Sequence, residues 1–214
     1  NPPNWRVFSY IRLMKKIIYC ILFVGFFNNC IAQNATALQI NTSRIKLPNG
    51  WSLSPIGKSL PLGDLPLNIA VSPSKKLLAV TNNGQSTQSL QLIDATKHQI
   101  LDSIDIPASW LGLAFSKDEK TLYASGGNDN WILEYAIQKN KLLLKDSIKL
   151  GDKWPTKISP AGLTINYLTN TLFVVTKDNN SLYTIDLGSK KITSQIALPA
   201  EAYTCLLSHN KKQL

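Results

Sequence analysis

The chain has 214 residues and a formal net charge of +10, and 44% of its residues are hydrophobic. Of its three cysteines only Cys205 lies outside the first 33 residues, which excludes an internal disulfide and a cysteine metal cluster from the remainder. That remainder holds 19 basic and 13 acidic residues, and its turns do not interleave aromatic with basic residues, so nucleic acid is not its partner.

Residues 1–13 (NPPNWRVFSYIRL) lack an initiating Met and show no periodic pattern, and they read as upstream or misassigned sequence. Met14-Lys15-Lys16, the apolar run 17–27 and the polar end 28–33 describe a secretory signal peptide over 14–33. A membrane-spanning helix needs about 20 apolar residues, more than this run supplies. The reading therefore predicts a secreted or periplasmic protein that starts near Gln33 or Asn34. An uncleaved anchor is one alternative. Lipid attachment at Cys30 is another, although Phe27-Asn28-Asn29 departs from the Leu-small-small pattern that precedes a lipidated cysteine.

Residues 34–57 form a leader, and the stretch 53–63 resembles the ends of three later units, 101–107, 144–151 and 192–199. Those units are repeats. In the first, residues 67–72, 76–81, 89–94 and 99–106 are short segments rich in Ile, Val and Leu, separated by polar turns, and they predict four antiparallel strands. The pattern returns at 110–151 and 161–199 and opens again at 202–214. Ala70, Ala114, Thr164 and Leu206 then align, at spacings of 44, 50 and 42 residues. Four strands per unit at this period define an all-β chain and a β-propeller, with blades at about 64–107, 108–151 and 159–199 and a fourth opening at 200–214.

Rings of this kind close at about four to eight blades. Residues 58–214 are accordingly expected to be an incomplete, N-terminal propeller fragment whose first partners are its own further blades. In that scheme the stretch 53–63 serves as the outer strand of the last blade and hides both free edges.

The blade wording resembles a known family. Leu78-Ala79-Val80-Thr81-Asn82-Asn83 is similar to the Tyr-Val-Thr-Asn signature of YVTN-type propeller repeats, with Ala79 at the tyrosine position. Tyr123-Ala124-Ser125-Gly126 and Phe173-Val174-Val175-Thr176 keep the aromatic. Ser72-Pro73-Ser74-Lys75-Lys76 resembles the family's Ser-Pro-Asp-Gly-Lys turn, with Ser116-Lys117-Asp118-Glu119-Lys120 a looser version. Together with the leader and Trp51-Ser52-Leu53-Ser54-Pro55, these residues resemble the N-terminal half of secreted bacterial proteins whose C-terminal half is an alkaline-phosphatase-like phosphoesterase. The resemblance implies a binding or positioning module here, with metal ions and hydrolysis in a further domain.

Within the chain no catalytic, cofactor or metal constellation is expected. His98 and His209 stand outside any metal-spacing pattern, and no nucleophile elbow or phosphate loop occurs. A haem or quinone propeller would need an axial His or a Cys-x-x-Cys-His site, and a stand-alone adhesion scaffold is the other alternative. Cys205 reads as a small buried side chain and Trp131 as inter-blade packing.

Propeller topology gives the turns two faces. First-to-second and third-to-fourth turns carry Lys75, Lys76, Lys97, Lys117, Lys120, Lys139, Lys141, Lys190 and Lys191, with Asp118 and Glu119. The opposite face carries Asn82, Asn83, Asn128, Asp129, Asn130, Lys177, Asp178, Asn179 and Asn180, with Trp110 and Trp154 in the blade connections. Such a rim suits a small molecule, a sugar, a peptide of a protein ligand, or a cation. The same residue types also satisfy tight turns.

Overall fold

A computed structural model describes residues 45–53, 59–106, 108, 110–153, 155–211 and 213–214. The signal region, Cys30 and residues 1–13 lie outside the described residues. Among the described residues no helix is long and apolar enough to cross a membrane. The chain divides into two compact units, Asn1–Ser59 and Leu60–Leu214.

In the first unit, β1 (Ile45–Lys46) pairs antiparallel with β2 (Ser52–Leu53). Gly50 adopts φ +84 and its N–H donates to the Leu47 carbonyl at 3.0 Å, a turn conformation that glycine reaches without strain. Leu53 therefore pairs within this hairpin, at the start of the stretch expected to close the ring. Residues 54–58 lie outside the described residues, and 59–63 form no strand.

The second unit contains three four-stranded antiparallel sheets, each with its strands in chain order. Blade 1 comprises β3 (Pro66–Val71), β4 (Leu77–Asn82), β5 (Ser89–Asp94) and β6 (Gln99–Asp105). Blade 2 comprises β7 (Leu113–Phe115), β8 (Thr121–Ser125), β9 (Trp131–Gln138) and β10 (Lys141–Lys149). Blade 3 comprises β11 (Pro160–Asn166), β12 (Thr171–Thr176), β13 (Ser181–Asp186) and β14 (Lys191–Ala197). The strands fall within a residue or so of the blade-1 segments expected from the sequence. Register agrees too: Ala70 pairs Ala79, Ala114 pairs Tyr123, and Thr164 pairs Phe173. The aligned small residues thus meet the signature position of the second strand in every blade. The architecture is an all-β propeller arc.

Period-two alternation distributes the side chains of blade 2 between two cores. Leu113, Phe115, Leu122, Leu133 and Tyr135 pack with Leu90, Leu92 and Ile106 of blade 1. The alternate residues Ala114, Tyr123 and Ile132 pack with Leu163, Ile165 and Val174 of blade 3. In blade 1 the counterparts of Leu113 and Phe115 are Ile69 and Val71, which are 55% and 56% exposed. Every residue of β14 is exposed as well.

Each outer strand breaks register once against the third, at Leu92/Ile93, Leu144/Asp146 and Thr184/Ile185. Such a bulge twists an edge strand away from further pairing.

One strand expectation fails. The described residues among 201–214 form no strand, although the apolar pattern from Ala202 matches the first strand of a blade. A strand needs a ladder neighbour, and none of the described segments pairs with this one. It lies against β11 at Gly162 instead: the Thr204 backbone fills the space there, with Thr204 Cα 2.5 Å from where a Cβ would stand. Cys205 is half-buried there, its Sγ 3.9 Å from the carbonyls of Gly162 and Phe173, and burial pushes its thiol pKa up to about 11.

Candidate functional site

The loops between second and third strands and the blade connections share one face, and the structure sorts the predicted rim residues into distinct environments. Asn82 ends β4 and is fully buried; its Nδ2 donates to Ser89 Oγ and to Gln91 Oε1, both at 3.0 Å. Gln91 Oε1 also accepts from the Gly63 N–H at 3.2 Å. Asn82 thus belongs to the core of blade 1. Asn83 donates its backbone N–H to the Leu65 carbonyl at 3.1 Å.

Asn130 is also interior. It is fully buried with φ 57, and it stitches the connection between blades 2 and 3. Its Nδ2 donates to the carbonyls of Asp152 (2.5 Å) and Thr156 (2.6 Å), and its Oδ1 accepts from the N–H groups of Ile158 (3.2 Å) and Ser159 (2.9 Å). All its side-chain capacity goes to backbone. Asn179 is similarly occupied, bonding the Thr176 hydroxyl and donating to Tyr183 Oη at 2.8 Å. Asn180 takes φ 45 in the β12–β13 turn, a conformation asparagine tolerates. Asp129 donates its backbone N–H to the Gly126 carbonyl at 3.0 Å within the 3-10 turn Gly127–Asp129.

Two clusters do present functional groups. In the first, Ser159 Oγ lies 2.6 Å from Asp178 Oδ2 and 3.3 Å from Asn128 Oδ1. Asn128 and Asp178 are exposed, and Ser159, buried with φ 52, joins the loops of blades 2 and 3. In the second, the Lys177 ammonium stands 5.2 Å from the centre of the Trp110 ring, and Tyr203 meets that ring edge-on at 6.3 Å and 78°. A cation over an indole face is worth about 0.5–1 kcal/mol at an exposed site. Trp154 lies outside the described residues. Sequence reasoning did not single out Ser159 or Tyr203. Ser159 matters through a positive φ that no residue type announces, and Tyr203 lies in a stretch whose apolar pattern matches a first strand.

Where the inner strands meet, a cavity of about 510 Å³ opens, lined in part by Ala70, Ala114, Thr164, Cys205 and Leu206. The small repeat residues leave this space. Among the described residues no three His, Cys, Asp or Glu side chains gather as a metal site.

The third charged cluster lies between blades. Glu134 of β9 has a side chain 3% exposed, with Lys145 Nζ 2.8 Å from Oε1 and Lys190 Nζ 2.6 Å from Oε2. The Lys190 contact is an ion pair off the hydrogen-bonding direction. Lys190 also reaches Asp146 at 2.5 Å. Burial pushes the Glu134 pKa up, but the two ammonium groups outweigh it and the net direction is down. Burial and the Glu134 charge in turn push Tyr123 up to about 12. Blades 1 and 2 share a comparable link, in which Asp102 accepts from Lys141 Nζ and from the Leu142 N–H, each at 2.8 Å.

Comparison with solved structures identifies the class that this geometry defines, a β-propeller. The hydrazine synthase of Kuenenia stuttgartiensis superposes with a TM-score of 0.58 at 21% identity, over 73% of this chain and 43% of its own. A functionally unknown protein from Desulfotomaculum acetoxidans gives 0.59 at 14% identity, over 78% and 51%. The β-propeller domain of Cps50 (Swd1) from Myceliophteria thermophila gives 0.51 at 16%, over 65% and 43%. The chain therefore spans about half, or less, of the structures it matches. Neither a protein-family model nor a curated protein sequence matches it. At these identities the likeness is one of fold.

Proposed function

We propose that the chain is the ligand-binding, non-catalytic propeller part of an exported protein of the YVTN-repeat type, with a phosphoesterase-like domain of the same protein carrying out hydrolysis. The observation that carries the binding role is the convergence of loops from neighbouring blades on one face. Asn128 and Asp178 meet at Ser159, and Lys177 covers Trp110. An exposed amide, a carboxylate and an indole held by different blades match the few convergent polar groups beside an apolar surface that binding sites present. A sugar would stack on Trp110 and exchange hydrogen bonds with Asn128 and Asp178. The export and phosphoesterase parts rest on the signal-like stretch 14–33 and on the resemblance from Trp51 onward.

Calorimetric titration with a panel of oligosaccharides and short peptides tests the binding role. The reading expects a ligand whose affinity drops at least about tenfold in both W110A and D178A, the loss of roughly one good contact. A ligand that binds equally well to both variants contradicts the site. N-terminal sequencing from the native host should place the mature start near Gln33 or Asn34. A start at or before Met14 contradicts export.

A further inference from the structure

The opposite face carries a different pattern of charge. Nine lysines stand in or beside the first-to-second and third-to-fourth turns of the three blades, against four acids, Asp94, Asp118, Glu119 and Asp186. Lys97, Lys141 and Lys190 are held in ion pairs with Asp94, Asp102 and the Glu134–Asp146 cluster. Lys75, Lys76, Lys117, Lys120, Lys139 and Lys191 are all exposed. The connection face has the other sign. Among the described residues it carries six acids (Asp64, Asp105, Asp129, Asp152, Asp178 and Glu201) against Lys149, Lys153, Lys157 and Lys177. The arc is thus polarised across its thickness, which orients it in front of an anionic surface.

An apolar tip accompanies this charge. At the first-to-second turn, blades 1 and 2 place Ser74 and Asp118 where blade 3 places Leu168. Leu168 is 79% exposed, and its N–H is fixed to Asn166 Oδ1 at 3.0 Å. The neighbouring Tyr167 anchors the turn from below by donating to the Phe115 carbonyl at 3.0 Å. A protruding leucine on a rigid, lysine-studded face gains nothing from a soluble polyanion. Against a bilayer it enters the headgroup layer while the lysines meet the phosphates.

We infer that the lysine-rich turn face is a docking surface for an anionic lipid bilayer, with Leu168 as its apolar anchor. The connection face then points away from the membrane. This inference is independent of the ligand role proposed for that face.

The test is flotation of the full chain with phosphatidylcholine vesicles, alone or mixed with phosphatidylserine. Phosphatidylserine should raise bound protein well above the phosphatidylcholine baseline, and added salt should return it toward that baseline. K75E/K76E should weaken the gain about tenfold or more, and L168S about tenfold. K149E/K153E on the connection face, away from the Trp110 cluster, should leave it unchanged. The apolar run 17–27 is common to every variant, so differences between variants report the turn face. The tips lie outside the cores, and circular dichroism of each variant confirms that its blades are intact. No gain with phosphatidylserine, an equal loss in K149E/K153E, or capture by soluble polyphosphate with L168S without effect on vesicle binding would each overturn the inference.

Discussion

Glu134 of blade 2 and Lys190 of blade 3 stand 2.6 Å apart although they are 56 positions apart in the chain. The carboxylate is taken out of water by the packing of one blade on the next, and its charge is balanced from the far side of that joint. Removing one partner of such a buried pair leaves an uncompensated charge and costs about 3–5 kcal/mol. Lys190 is about one-third exposed, so its loss should fall at the lower end of that range. We expect K190M to lower the midpoint of thermal unfolding by more than K145M, because Lys145 is 58% exposed. The double variant E134L/K190M should recover part of the loss.

The same joint sets an acid limit. Glu134 and Asp102 both have pKa values held below their ordinary range, against burial, by lysines of the blade geometry. A carboxylate depressed in the folded state binds its proton more readily when unfolded. Its contribution is therefore complete above its unfolded pKa of about 4 and is lost as pH falls through the lower folded value. Unfolding followed by urea from pH 7 to pH 3 should show stability falling below about pH 4.5. E134Q should flatten that fall, and an unchanged slope would contradict the assignment.

Asn130 makes four side-chain hydrogen bonds to the blade 2–3 connection from a left-handed backbone conformation. Each buried backbone group left without its partner costs about 1–3 kcal/mol. N130A should destabilise by at least about 3 kcal/mol. N130G should cost less, because glycine accepts the positive φ. Chemical denaturation of the three proteins checks that order.

Gly162 admits the Thr204 backbone where a side chain would collide. G162A should displace the 203–206 segment and free Cys205, whose burial holds the thiol pKa near 11. With Cys20 and Cys30 replaced by serine, alkylation of Cys205 should be slow in the parent at pH 8 and much faster in G162A. Equal rates would mean the segment is not held by that contact.

The repeat was legible because strand alternation and turn residues are local signals, and three copies state them three times. Ala70, Ala114 and Thr164 could be aligned before any pairing was known. The rim was legible only as loops. Asn130 and Asn82 have the composition of turn residues, yet both are buried, and only the hydrogen bonds that reach them from distant backbone or side chains reveal it. Glu134 sits in an alternating strand like any solvent-facing glutamate, and the lysines that neutralise it include one from another blade. From Ala202 the apolar pattern matches the first strand of a further blade, but pattern specifies a face and not a partner.

Hydrogen–deuterium exchange tests most directly that the repeat builds blades packed face to face. Blade 2 has a core on each side, whereas β3 leaves Ile69 and Val71 open and β14 is exposed throughout. Repeat units flanked on both sides are the last to open. Amides of β8 and β9 should therefore be the slowest to exchange, those of β12 and β4 intermediate, and those of β14 and 203–211 fast. Uniform protection across the three sheets, or faster exchange in β8 and β9 than in β14, would contradict the account.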